Sequence, residues 1–339
     1  MRPGTIALLL ITLVAGLAAQ GRPSPPQAAR GSEDAVTAIT RAFDNSRLVA
    51  IGELHRNQQL HDLLATLVRD SRFLPNGGDI VVEWGNARYQ DLMDRYVRGD
   101  AVDPKMLTRV WRDTVNILVW DAPVYERLFV TVREVNRTRP SSKSLRVVLA
   151  DPPIEWAAIQ DRETWERIAA TRDQHAVDVI RREVLVRDRR ALLIFGSAHV
   201  EREAFDRSDK PGRPRLPNLA ELLDREWPGR TLLVTEDWGN TSTDALLAGA
   251  RVPSFIPLKG TAIGAIRVGP PGTPRLDELA DAFLYLGPTA SLTTSVPSPE
   301  TYADTTYLRE LLRRDAIQGG ANAAELRRLS ARFLNGQMR

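Results

Sequence analysis

Four residues offer the most readable chemistry in this chain: Glu53, His55, Glu83 and His199. Glu53 and His55 stand two apart at the end of the apolar run Leu48-Val49-Ala50-Ile51-Gly52. On extended backbone, residues two apart project to the same side, so this carboxylate and imidazole can address one point. Such a pair can activate water by general base catalysis, with the carboxylate orienting the ring. Glu83 follows a second apolar run, Ile80-Val81-Val82, where a carboxylate is costly unless it is used or paired. His199 closes Gly196-Ser197-Ala198-His199 after a third run. The same four side chains offer nitrogens and oxygens that would equally suit a divalent metal.

Other polar residues at similar places have plainer explanations. Asp151 precedes Pro152-Pro153 and fits a rigid turn. Glu236 and Asp237 follow a further apolar run and fit helix or loop caps. His61 falls on the shoulder of an amphipathic pattern and reads as packing, and His175 lies in a charged helical stretch and reads as a solvated surface residue. Ser197 lacks the second glycine of a nucleophile elbow. No Walker loop, dinucleotide glycine fingerprint or His-Glu-x-x-His pattern is present. The chain has no cysteine, which removes disulfides, thiolate nucleophiles, thiolate metal sites and iron–sulfur clusters.

The elements that must position these residues follow from periodicity. Buried-strand runs are expected at 48–53, 80–84, 145–150, 191–195 and 231–235, with weaker ones at 254–258 and 282–286. Helical spacing is expected at 35–43, 58–69, 89–97, 104–111, 124–136 and 219–227. It is also expected over a long stretch, 155–186, broken once, and again at 302–315 and 323–334, with a proline-rich loop at 211–217. Alternating strands and helices imply an α/β fold with a mostly parallel central sheet flanked by helices on both faces. Ligands of such sheets bind beyond the carboxyl ends of the strands, and the candidate residues all lie at or just past those ends.

Arg2, the apolar run over residues 6–17 and Ala18-Ala19 have the pattern of a secretory signal peptide, residues 1–19, too short for a stable membrane anchor. Residues 20–34 then read as a flexible tail, and 35–339 as one domain with a C-terminal helical extension. A cysteine-free exported protein suits a periplasmic or secreted location. The 46 basic and 43 acidic residues are interleaved, with no basic stripe carrying aromatics, so nucleic acid is not an expected partner. A small-molecule or peptide substrate is.

Taken in order, Gly52-Glu53-Leu54-His55, Glu83, Arg172-Asp173 and Gly196-Ser197-Ala198-His199 resemble the motifs of the ChaN-like/erythromycin esterase/Tiki–TraB superfamily. The resemblance spans roughly residues 49–200, and Asn57 and His61 bring it closer to the ChaN-like branch. It implies an α/β fold with the site at one sheet edge. Erythromycin esterases are metal-independent hydrolases in which the first-motif histidine is the proposed base. That role would fall on His55, oriented by Glu53, with Glu83 and His199 binding substrate or stabilising charge. Arg172 would be an anion clamp, and Asp151 a further substrate-binding residue. Tiki-like members are metal-dependent proteases, which would make Glu53, His55, Glu83 and His199 metal ligands. ChaN binds haem in iron uptake and also uses a tyrosine ligand, which has no counterpart legible in this sequence.

Overall fold

The computed structural model describes residues 32–202, 216–236, 241–270 and 272–329. The expected signal peptide, most of the tail, the loop at 211–215, Asp237 and residues 330–334 of the final helix lie outside the described residues. Eight strands form one sheet: β1 Glu33–Asp34, β2 Leu48–Glu53, β3 Gly78–Asn86, β4 Leu145–Asp151, β5 Ala191–Gly196, β6 Thr231–Glu236, β7 Ser254–Pro257 and β8 Ala282–Tyr285. Their order is β1-β7-β8-β6-β2-β5-β3-β4. Only β7 runs against the rest, pairing antiparallel with both β8 and β1. The fold is α/β with a mostly parallel sheet between helical layers.

Alternation within each strand divides the core into those layers. Val49, Ile51, Ile80, Val82, Leu192 and Ile194 pack with the helices Ala35–Ala42, Gln58–Arg69, Gln90–Arg98, Pro104–Arg112 and Pro123–Asn136. Their neighbours Leu48, Ala50, Val81, Ala191, Leu193 and Phe195 face the helices Arg172–Ile180 and Leu219–Glu226. Strands buried on both faces need apolar residues at every position, which is why these runs are continuous. Each Val, Leu, Ile or Phe among them contributes roughly 1.5–3 kcal/mol by burial. A third, smaller cluster joins Val115, Ile117, Ile154, Trp156 and Ile159 to Tyr302, Leu311 and Leu326. The helix Thr305–Gln318 thereby lies over loops at the carboxyl end of the sheet. Among the described residues no helix is long and apolar enough to cross a membrane.

Three elements differ from expectation. Glu33 and Asp34, placed by the sequence at the end of the tail, form β1 against β7; two polar residues carry no periodicity to read. The strand expected at 80–84 continues to Asn86, with the β3–β4 register slipping between Val82 and Asn86. Gly85 permits the slip, since a Cβ there would stand 2.4 Å from Leu149 Cδ2. The stretch 155–186 breaks more than once, into a 3-10 turn Trp156–Ala158, helices Arg162–Ala169 and Arg172–Ile180, and a π-turn Arg181–Leu185. Asp161 accepts from Thr164 N to start the first of those helices. The break at Ala170-Thr171 gives Arg172 and Asp173 a helix start of their own.

Candidate functional site

Two polar clusters, one on each side of the sheet, meet at the tips of β2, β5 and β3. Glu53 has the parity of Val49 and Ile51, so its carboxylate enters the layer of the helices Gln58–Arg69 and Pro123–Asn136. There its side chain is fully buried. Oε1 lies 2.7 Å from His55 Nδ1 and accepts from the Tyr125 hydroxyl at 3.1 Å, while Oε2 lies 3.1 Å from His61 Nε2. Burial pushes this carboxyl up, but the hydrogen bonds from His55 and His61 outweigh it and hold it below its ordinary value. Glu53 is therefore a carboxylate with three fixed partners.

His55 lies past the strand end, not on it. Leu54 donates its N–H to Glu236 Oε1, and Asn57 Nδ2 donates to Glu236 Oε2 at 2.7 Å. Asn57 in turn accepts from Gln59 N and Leu60 N to start the helix Gln58–Arg69. Arg56 turns the chain at φ 70, its N–H donated to the Tyr125 hydroxyl at 2.9 Å. This turn, rather than a strand's pleat, brings the imidazole back to Glu53. Glu236 anchors the turn and is not part of the polar surface. The His55 side chain remains 35% exposed, its ring edge-on to Trp120 at 4.7 Å. Nδ1 is held by Glu53, and Nε2 has no hydrogen-bond partner among the described residues. Burial acts to lower this imidazole, but the hydrogen bond to Glu53 and the charge of Glu83 raise it above its ordinary value.

Glu83, with the parity of Val81, enters the opposite layer. Its Oε1 is 2.5 Å from Arg172 Nη2 and 3.4 Å from His199 Nε2, and its Oε2 accepts from Gly196 N at 2.6 Å. Burial pushes Glu83 up, yet the charges of His199 and Arg172 hold it well below the usual carboxylate range. Arg172 Nε also donates to Asp151 Oδ1 at 3.3 Å, and Asp151 Oδ2 accepts from Val115 N at 2.7 Å. Burial pushes Asp151 up to about 6 against both of these partners. His199 Nδ1 lies 2.6 Å from Asp173 Oδ1. Burial would lower His199, but Glu83 and Asp173 raise it to about 10, so it is an imidazolium at neutral pH. A cavity with about 10 Å³ of space for the centre of a water molecule lies between Glu83, Asp151, Arg172 and His199, room for about one water.

Gly196 is the meeting point. A Cβ there would stand 2.8 Å from His55 Cε1, 3.1 Å from His55 Nε2 and 3.3 Å from Glu83 Oε2. Only a glycine lets the His55 ring lie against β5 beside Glu83. Next to it, Ser197 donates its hydroxyl to the Glu53 carbonyl at 3.1 Å, pinning β2 to β5.

The four leading candidates are thus brought to one edge. Among the described residues no group of three or more acid or histidine side chains is arranged to hold an ion. The reason is visible in the bonding: Glu53 is taken by His55, His61 and Tyr125, Glu83 by Arg172 and Gly196 N, and His199 Nδ1 by Asp173. Arg172 and Asp151, expected to meet substrate, are bonded to each other and to buried partners. His61 packs on Trp84 and Tyr125, as a core residue would, and also holds Glu53. His175 is not a solvated surface residue: its Nε2 is enclosed with no hydrogen-bond partner among the described residues, and burial lowers its pKa. Sequence reasoning missed Tyr125 and gave Asp173 no role. Tyr125 carried a usable signal, since a tyrosine at a core position of an amphipathic helix needs a partner for its hydroxyl.

Comparison with known proteins leaves the fold as the firm common ground. No family model matches the chain, and no curated protein matches it by sequence. The crystal structure of a succinoglycan biosynthesis protein is similar at a TM-score of 0.59 and 9% identity, over 80% of this chain and 97% of that one. A Bacillus cereus protein gives 0.50 and 10% over 80% and 96%. Both likenesses are of the fold alone. The structure of ChaN of Campylobacter jejuni, with cofacial haem, gives 0.40 and 12% over 60% and 86%.

Proposed function

We propose that this chain is a hydrolase-like enzyme of the ChaN-like/erythromycin esterase/Tiki–TraB kinship suggested by its motifs, with His55 as general base on an ester or amide. The observation that carries the reading is the 2.7 Å contact of His55 Nδ1 with a buried, ionised Glu53, while Nε2 has no partner among the described residues and the side chain is 35% exposed. A buried carboxylate accepting from Nδ1–H fixes the tautomer in which Nε2 carries the lone pair. Nε2 can then take a proton from water as the oxygen adds to the carbonyl carbon. The same proton passes to the leaving oxygen or nitrogen as its bond to carbon breaks. His199, held as an imidazolium by Glu83 and Asp173, places a fixed positive charge in the neighbouring cluster. Arg172 and Asp151 hold that cluster together. The signal-peptide pattern adds the proposal that the enzyme works after export, in the periplasm or outside the cell.

Replacing His55 by alanine tests this directly. Turnover on a panel of p-nitrophenyl esters and anilides is expected to fall by about 10²–10⁴, the usual contribution of a positioned base. Full retention would refute the assignment.

A second reading, tetrapyrrole binding, has one observation in its favour. A histidine fixed through Nδ1 by a carboxylate, with Nε2 open, has the outer-shell arrangement of metal-ligating imidazoles. The tyrosine ligand of the ChaN branch does not fit. The hydroxyl bonded into this site, Tyr125, is engaged by Glu53 and by Arg56 N–H, and burial beside Glu53 raises it well above its ordinary value. Titration with haemin should accordingly give no saturable Soret shift that depends on His55; such a shift, lost in His55→Ala, would reverse the order of the two readings.

A further inference from the structure

Charge at the carboxyl end of this sheet is almost everywhere paired. Arg109, Arg112, Arg172, Arg313 and Arg314 each stand within ion-pair distance of a carboxylate. Arg56, the residue next to His55, makes no ion pair among the described residues. Its backbone is fixed on both sides, the N–H donated to Tyr125 and the carbonyl accepting from Ser295 N at 2.8 Å. It is also held at φ 70, in the left-handed region that side-chain-bearing residues adopt only where their surroundings impose it.

The side chain that this turn projects is partly buried, and its Nε is enclosed without a hydrogen-bond partner. Buried guanidinium donors are normally satisfied, whereas the Arg56 guanidinium makes no side-chain hydrogen bond or ion pair among the described residues. Its charge is felt by the Tyr302 hydroxyl, which bonds to Asp121 at 3.3 Å. Asp121 follows Trp120, whose ring meets His55. Arg56 directly follows His55 in the turn held on Tyr125, so its side chain starts from the same rim as the imidazole. Asp121 itself is occupied by Arg112 at 3.4 Å and by the Tyr307 hydroxyl at 2.9 Å.

We propose that Arg56 is the anion-binding residue of this site, and that the substrate presented to His55 carries a carboxylate or phosphate group. The proposal rests on the reading of His55 as general base. It also moves the anion clamp from Arg172, whose guanidinium is bonded to Glu83 and Asp151, to an arginine that makes no ion pair among the described residues. A guanidinium suits either anion because its donors match paired oxygens.

The test compares the full chain with Arg56→Gln and Arg56→Lys on two esters, p-nitrophenyl acetate and mono-p-nitrophenyl glutarate. The kcat/KM ratio of the glutarate ester to the acetate ester is expected to fall about tenfold to a hundredfold in Arg56→Gln, as for loss of a charge-assisted hydrogen bond. It should recover in part in Arg56→Lys. An unchanged ratio overturns the proposal. If the parent chain cleaves neither ester, the hydrolase reading fails and the anion site is judged by binding. The His55 ring resonance, assigned by its loss in His55→Ala, is followed during titration with glutarate and with inorganic phosphate. A saturable shift present in the parent and lost in Arg56→Gln supports the site, and the more effective anion identifies the group it takes. No shift with either anion overturns it.

Discussion

Replacing His199 by glutamine changes how the stability of this fold depends on pH. In the folded chain Glu83 and Asp173 raise the His199 imidazole from 6.5 to about 10. A group whose folded pKa is raised contributes stability that is fully present below the unfolded pKa and lost as pH rises through the folded one. The window is therefore from about pH 6.5 to about 10. Over it the native state holds one more proton than the unfolded chain, so stability falls by about 1.4 kcal/mol per pH unit, about 5 kcal/mol in total. Urea unfolding at pH 7, 8 and 9 reads the effect as a midpoint that moves down while the denaturant slope stays constant. The parent should lose about 3 kcal/mol between pH 7 and 9 from this group. His199→Gln should be less stable at pH 7, because Glu83 and Asp173 lose a cation, and its profile should be flatter by that amount. Groups titrating elsewhere act on both proteins and cancel in the comparison. Parallel profiles would refute the coupling of His199 to Glu83 and Asp173.

Glu53→Gln removes the hydrogen-bond partner and charge that raise His55, so the acid limb of the kcat/KM–pH profile should move to lower pH; a limb that stays in place would separate Glu53 from the base. Gly196→Ala puts a methyl 2.8 Å from His55 Cε1, and the exposed ring must move aside. Activity should fall about a hundredfold, as for a displaced catalytic group, with little loss of stability. Gly52→Ala makes the contrasting case, since its Cβ would meet Val200 Cγ2 at 2.8 Å and the Ser197 backbone at 3.0 Å. There unfolding should become easier by about 1–3 kcal/mol, measured by the same urea titration.

The strands and the helix that flank the opening motif were legible because burial on two faces writes itself as uninterrupted Val, Ile and Leu. The bounds Leu48–Glu53 and Gln58–Arg69 coincide with the expected 48–53 and 58–69. Glu53 beside His55 was legible too, although for a different reason. The pairing comes from a left-handed turn at Arg56 anchored by Glu236 and Tyr125, and those anchors lie 182 and 69 residues away from their partners. Separations of that size leave no local pattern. The same holds for Asp173 and His199, 26 residues apart on different helices, and for the register slip that carries β3 past Glu83, which depends on how Leu149 meets Gly85.

The helix Thr305–Gln318 fastens the walls of this site. Arg314 reaches Asp113 at 2.8 Å and the Arg112 carbonyl at 2.7 Å, Gln318 donates to the Val115 carbonyl at 3.0 Å, and Tyr307 bonds Asp121 at 2.9 Å. The segment so gripped contains Val115, whose N–H holds Asp151, and Trp120, which packs on His55. All eight strands precede this helix in the chain, and its contacts span about two hundred residues. Loosening this helix would therefore release the walls around His55 while leaving the packing of the sheet in place, a local opening rather than a global one.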